Sequence, residues 1–330
     1  MNSTQLKYKS VLTRLGAILL IFSGLFVVLF GVYSMISFHL VTVFDAPIVD
    51  SILYDIIYMA VFMIPVAFVP AFFKREERQP MRLGVKAPKN TFALIAICIA
   101  ISYAFAEFNA MTVTAIFGDE VREEIFKYPA TYMSDTDLIL EFITVALVPA
   151  FCEEFLFRGV VLSTLMPYGK STAVVVSAVC FGLMHGNFHQ FLYTTVAGLI
   201  LGAVYVVTDS IWPSTIIHMI NNALSILQIA LYERLDVNYA YVFWIFIEAT
   251  VMTTGLVSLI CLIRRKKSSG AEKTSLFGRP LESGGMVESA GFSSSAKLEA
   301  KDAFKLFFTP TIIVFVVYQI ILGFVVLGAG

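Results

Sequence analysis

The chain has 330 residues, of which 58% are hydrophobic and only 14% charged, and its mean hydropathy is +0.83. That balance excludes an ordinary soluble globule and reads as a polytopic membrane protein. The formal net charge of −1 hides a segregation of sign along the chain, and no nucleic-acid-binding motif, Gly-rich phosphate loop or internal repeat is found. Cys98, Cys152, Cys180 and Cys261 fall in apolar runs without CxxC spacing, which argues for inert core residues and against a disulfide framework.

The first apolar run, Leu15 to Phe38, follows Lys7, Lys9 and Arg14 and is too long for a signal-peptide core, so it is expected to be a retained spanning helix. Further spans are predicted at 53–73, 91–117, 138–166, 171–187, 190–207, 210–232, 239–263 and 305–328. The expected fold is an all-α, polytopic transmembrane helical bundle of about eight to nine helices. Lys74, Arg75, Arg78, Arg82, Lys86 and Lys89 crowd one loop, and the RRKK at 264–267 adds to the same side. The opposite loops hold Asp45, Asp50, Asp119, Glu120, Glu123, Glu124, Asp135 and Asp137. The bias of Lys and Arg toward the cytoplasm predicts a multi-pass protein of the cell membrane with its N-terminus inside.

Five regions are expected: N-terminal helices and loops over 1–137, a helical core over 138–232, an eighth helix over 233–263, a linker over 264–304 and a last helix over 305–330. The linker is rich in Ser, Gly, Lys and Glu without apolar periodicity, which predicts a disordered cytoplasmic segment. The helix beyond it is expected to be peripheral.

Chemistry concentrates between 150 and 225. Residues 153 to 159 read EEFLFRG inside an apolar stretch, and ionisable groups at bilayer depth are costly enough to be functional by default. Residues four apart share a helix face, so Glu154 and Arg158 can pair and leave Glu153 on another face. Glu153 is therefore assigned to chemistry, and Glu154 with Arg158 to support. The bland alternative is one buried ionic cluster that only fixes helix register.

His185 and His189 lie in FGLMHGNFHQ, and His218 and Asn222 in HMINN. Glu153 lies 14 residues before Pro167, and His185 lies 14 after Ser171, across the PYGKS turn. At about 1.5 Å per residue both sit roughly 21 Å from that turn and can face each other at matching depth. His218 and Asn222 enter from the same side, roughly 12 and 18 Å in, on one face. A carboxylate that takes a proton from water, with imidazoles and an amide that orient it or stabilise developing charge, is a hydrolytic set.

In order and spacing, Glu-Glu-x-x-x-Arg, Phe-x-x-x-His and His-x-x-x-Asn resemble the CAAX-protease and bacteriocin-processing (CPBP, or Abi) family of intramembrane endopeptidases, over about 138–230. The resemblance implies Glu153 as water-activating residue, His218 and Asn222 as oxyanion or metal contacts, His185 holding water or metal, and Glu154 paired with Arg158. It implies a peptide or membrane-associated protein as substrate, with links to peptide or bacteriocin maturation, self-immunity or CAAX-type processing. Metal-dependent and glutamate-type mechanisms both stay open, since Glu153, His185 and His218 would fill three zinc positions. Rival readings from other classes are a proton-coupled transporter and a non-catalytic immunity or scaffold protein.

Lesser features have structural readings. Pro149 removes a helical hydrogen bond and frees the Val145 carbonyl. Gly198 and Gly202 suit close helix packing. His189 and His39 are expected at membrane edges.

Overall fold

The computed structural model describes residues 2–44, 46–75, 77, 79–84, 90–117, 134–268 and 306–328, with backbone alone at 117, 188–189, 265–268 and 323–328. Among these residues the secondary structure is helical, without a strand. The helices are α1 (Ser3–Thr42), α2 (Pro47–Phe72), α3 (Thr91–Phe117), α4 (135–165), α5 (Lys170–Met184), α6 (Phe188–Thr208), α7 (Trp212–Arg234), α8 (Val237–Ser268) and α9 (Pro310–Gly328). Six of them, α1, α2, α3, α6, α7 and α8, are long and apolar enough to cross a membrane.

Local chemistry sets the ends. Asn2 and Gln5 form a reciprocal capping box at α1, with bonds of 2.8 and 3.0 Å, which is why α1 starts at Ser3 and not at Leu15, where the long apolar run begins. Ser134 and Asp137 do the same for α4. Pro47 and Pro213 sit in the first turns of α2 and α7, where a missing N–H costs nothing.

Three expectations need correction. The helix expected over 138–166 is a rod of alternating winding: π-helical at Phe142–Leu147 and Phe155–Leu162, with α-helical pieces between and around them. The helix expected over 171–187 stops at Met184, because Gly186 takes φ +56° and turns the chain. At 15 residues, about 22 Å, α5 is shorter than the roughly 30 Å hydrocarbon core. Finally, α8 runs to Ser268, five residues into the stretch whose composition reads as linker. The rest of that linker lies outside the described residues, as do the loop charges Asp45, Arg78, Lys86, Lys89, Asp119, Glu120, Glu123 and Glu124.

The chain divides into two compact units. The first comprises Met1–Leu83, Phe151–Val206 and Glu282–Gly330. In lipid, apolar side chains gain little by leaving it, so helices associate through close packing and polar contacts. A Cβ on Gly198 of α6 would sit 2.9 Å from the Ala178 Cα of α5, so these two backbones meet as only glycine allows. Helix α9 is not peripheral: Ile312 and Phe315 are buried, Thr311 donates to the Thr13 carbonyl of α1 at 2.8 Å, and Gln319 donates to Ser23 at 3.3 Å. On the chain just after α2, Glu77 takes both η-nitrogens of Arg14, at 2.8 and 3.0 Å.

The second unit comprises Gly84–Ala150 and Val207–Leu281. Here α3 packs on α8, with Gly255 against Ala100, and the Tyr103 hydroxyl lies 2.9 Å from Glu107 Oε1 and 2.5 Å from Glu248 Oε1. Arg234 closes α7 on Asp135 at 2.8 Å. Cys98, Cys152 and Cys180 are buried as expected, whereas Cys261 is exposed, on a helix that presents most of its surface outward.

Candidate active site

Glu153 and Glu154 end an α-helical piece, Val148–Glu154, and the chain continues π-wound from Phe155. A π turn carries one extra residue per hydrogen-bonded ring and is concentrated at functional sites. One cause of the irregularity lies at Pro149, which has no N–H to offer Val145.

The two carboxylates have different partners. Arg158 Nη1 lies 3.0 Å from Glu154 Oε1, and both side chains are fully buried. The same guanidinium donates from Nη2 to the Gly198 carbonyl at 3.3 Å and stacks over the Phe181 ring, 4.6 Å from its centroid. Desolvating an ion pair is costly, and it is offset only when further polar contacts surround the charges. The close approach at Gly198 supplies one of them, and the Phe181 ring face supplies a cation–π contact.

Glu153 is 4% exposed, and its Oε1 accepts a hydrogen bond of 2.5 Å from the Tyr58 hydroxyl of α2. Sequence reasoning did not find Tyr58, which lies 95 residues earlier in an apolar helix with nothing in its spacing to mark it.

Helix α5 folds back along α4 after the Met166–Tyr168 turn, where Gly169 adopts φ +149°. Ser177 Oγ donates to the Phe157 carbonyl at 2.9 Å, and the Phe157 and Phe181 rings meet edge-on at 5.3 Å. His185 is the residue that closes α5, not one inside it. Its Nδ1 lies 2.9 Å from the Phe181 carbonyl. A carbonyl oxygen only accepts, so Nδ1 carries the proton, and Nε2 is the nitrogen able to accept a hydrogen bond or ligate a metal. The side chain of His189 lies outside the described residues.

His218 and Asn222 belong to the second unit, on α7. Ser214 and Thr215 return their hydroxyls to the Ile211 carbonyl at 2.8 and 3.0 Å and fix the first turn, and His218 follows with 7% of its surface exposed. One turn on, Asn222 Nδ2 donates to the Val145 carbonyl at 3.0 Å. This is the carbonyl that Pro149 cannot reach with an N–H, so the π-wound piece of α4 and the motif of α7 are tied together. Thus Glu153, Glu154, Arg158 and His185 lie in one unit, and His218 and Asn222 in the other.

Among the described residues, no group of three or more His, Cys, Asp or Glu is arranged to hold a metal ion. The set Glu153, His185 and His218 is divided between the two units.

No curated protein and no solved structure matches the chain. A family model does: residues 135–224 match the one described as type II CAAX prenyl endopeptidase, Rce1-like. The matched span holds all three motifs, from EEFLFR through the HMINN segment. It also holds both π-wound pieces and the Asn222 to Val145 bond. The segment of this helical membrane protein that carries Glu153, His185, His218 and Asn222 is therefore similar to the Rce1-like type II CAAX prenyl endopeptidases.

Proposed function

We propose that the chain is an intramembrane endopeptidase of glutamate type, hydrolysing a peptide bond in a membrane-associated peptide or protein. The observation that carries this reading is the different partnering of the two adjacent glutamates: Glu154 Oε1 lies 3.0 Å from Arg158 Nη1, while the buried Glu153 accepts a hydrogen bond from the Tyr58 hydroxyl. Glu153 takes a proton from water, whose oxygen bonds to the scissile carbonyl carbon. The proton then passes to the leaving nitrogen as the carbon–nitrogen bond breaks. His185, through Nε2, orients the water. His218 and the amide of Asn222 stabilise the charge that develops on the carbonyl oxygen.

The test compares membrane peptides released by wild type and by Glu153→Gln, each purified as the full chain. Glu153→Gln keeps the shape and the Tyr58 contact but cannot accept a proton, so cleavage should fall by at least about 100-fold while thermal stability stays near wild type. Wild-type cleavage by this variant would sink the reading. Dialysis against a strong chelator should leave cleavage unchanged. A loss restored by zinc would instead make the carboxylate and histidines metal ligands.

A further inference from the structure

Resting on the reading of Glu153 as the base, the geometry points to Tyr58 as the residue that positions it, holding Oε1 so that Oε2 receives the proton from water. The hydroxyl is 2.5 Å from Oε1, and Tyr58 itself has little freedom. Its ring stacks on Phe62 at 4.8 Å and on Tyr54 at 5.9 Å, and Phe30 of α1 meets it edge-on at 6.4 Å. Three aromatic rings therefore fix where the hydroxyl points, and the hydroxyl fixes the carboxylate. A carboxylate on a flexible side chain loses rotamer freedom when it is held, and a base that is already held needs no reorganisation at the moment of proton transfer.

Tyr58 keeps its own proton throughout. The water proton goes to Oε2, the water oxygen bonds to the carbonyl carbon, and the proton leaves on the amine as the carbon–nitrogen bond breaks. Tyr58→Phe removes one oxygen and leaves the ring stack in place.

The experiment records infrared spectra of the full chain in detergent at one fixed pH, with the carboxyl band that disappears in Glu153→Gln assigned to Glu153. In Tyr58→Phe that band should shift in frequency, because the carboxyl has lost a hydrogen-bond donor. Cleavage of any peptide cut by wild type should show kcat lowered about tenfold with KM unchanged. Phe62→Leu, which loosens the stack and spares the hydroxyl, should lower the melting temperature and leave the band where it was. An unchanged Glu153 band and kcat in Tyr58→Phe overturn the inference about Tyr58 alone. So does an equal band shift in Phe62→Leu, because the effect would then be one of packing. Full activity in Glu153→Gln is a different failure, since it removes the base itself.

Discussion

Two buried polar clusters in this molecule solve the same problem in different ways. In the first unit, Glu154 has a cation, Arg158, at 3.0 Å, while its neighbour Glu153 has a tyrosine hydroxyl at 2.5 Å. In the second unit the Tyr103 hydroxyl lies 2.9 Å from Glu107 and 2.5 Å from Glu248, and among the described residues no arginine joins that contact. A cation holds a carboxylate in its charged form and makes it part of the frame. A hydroxyl satisfies it without settling its charge, so it can still exchange a proton. On this comparison the two solutions stand on consecutive residues of the matched segment.

The largest way to break the comparison is Glu154→Ala. It strands Arg158 in a fully buried position and should cost about 3–5 kcal/mol, seen as lost expression or a collapsed melting temperature. If Glu154→Ala proved stable but inactive, the division of labour between the two glutamates would be reversed. Tyr103→Phe comes next: it removes the donor between two carboxylates and should cost about 1–2 kcal/mol by chemical denaturation, with cleavage unaffected.

The smallest effect belongs to a half-buried pair. Arg14 holds the Glu77 carboxyl below its ordinary value of 4.5, chiefly by hydrogen bonding. Its folded-state value is lowered, so the stabilisation is present above that ordinary value and disappears as pH falls through the lowered one. Because the Glu77 side chain is 33% exposed, solvent screens the pair and its worth is about 0.5 kcal/mol. Glu77→Gln should therefore narrow the stability difference between pH 7 and pH 3 only slightly, in contrast to the buried pair.

Much of the bundle was legible because apolar length and capping residues act locally. The starts of α3 and α6, the turn at 166–169 and the pairing of Glu154 with Arg158 all follow from spacing along the chain. Two things were not. The HGN stop at 185–187 was read through as helix, since histidine and asparagine continue an apolar run plausibly and only the positive φ of Gly186 reveals the turn. Tyr58 was invisible because its partner is 95 residues away, and a tyrosine among Phe, Ile and Met has no period of its own. The π winding also escaped the assumption of 3.6 residues per turn, although Pro149 had marked the Val145 carbonyl as one in need of another donor.

That carbonyl has a genetic consequence. Asn222 would ordinarily be tested by Asn222→Ala, and loss of activity would be credited to the oxyanion. Yet the same change strips the Val145 carbonyl of its side-chain donor at 3.0 Å. Pro149 and Asn222 should therefore be epistatic. Pro149→Ala returns a backbone N–H to α4, and Asn222→Ala in that background isolates whatever the amide does for the reaction from what it does for the helix.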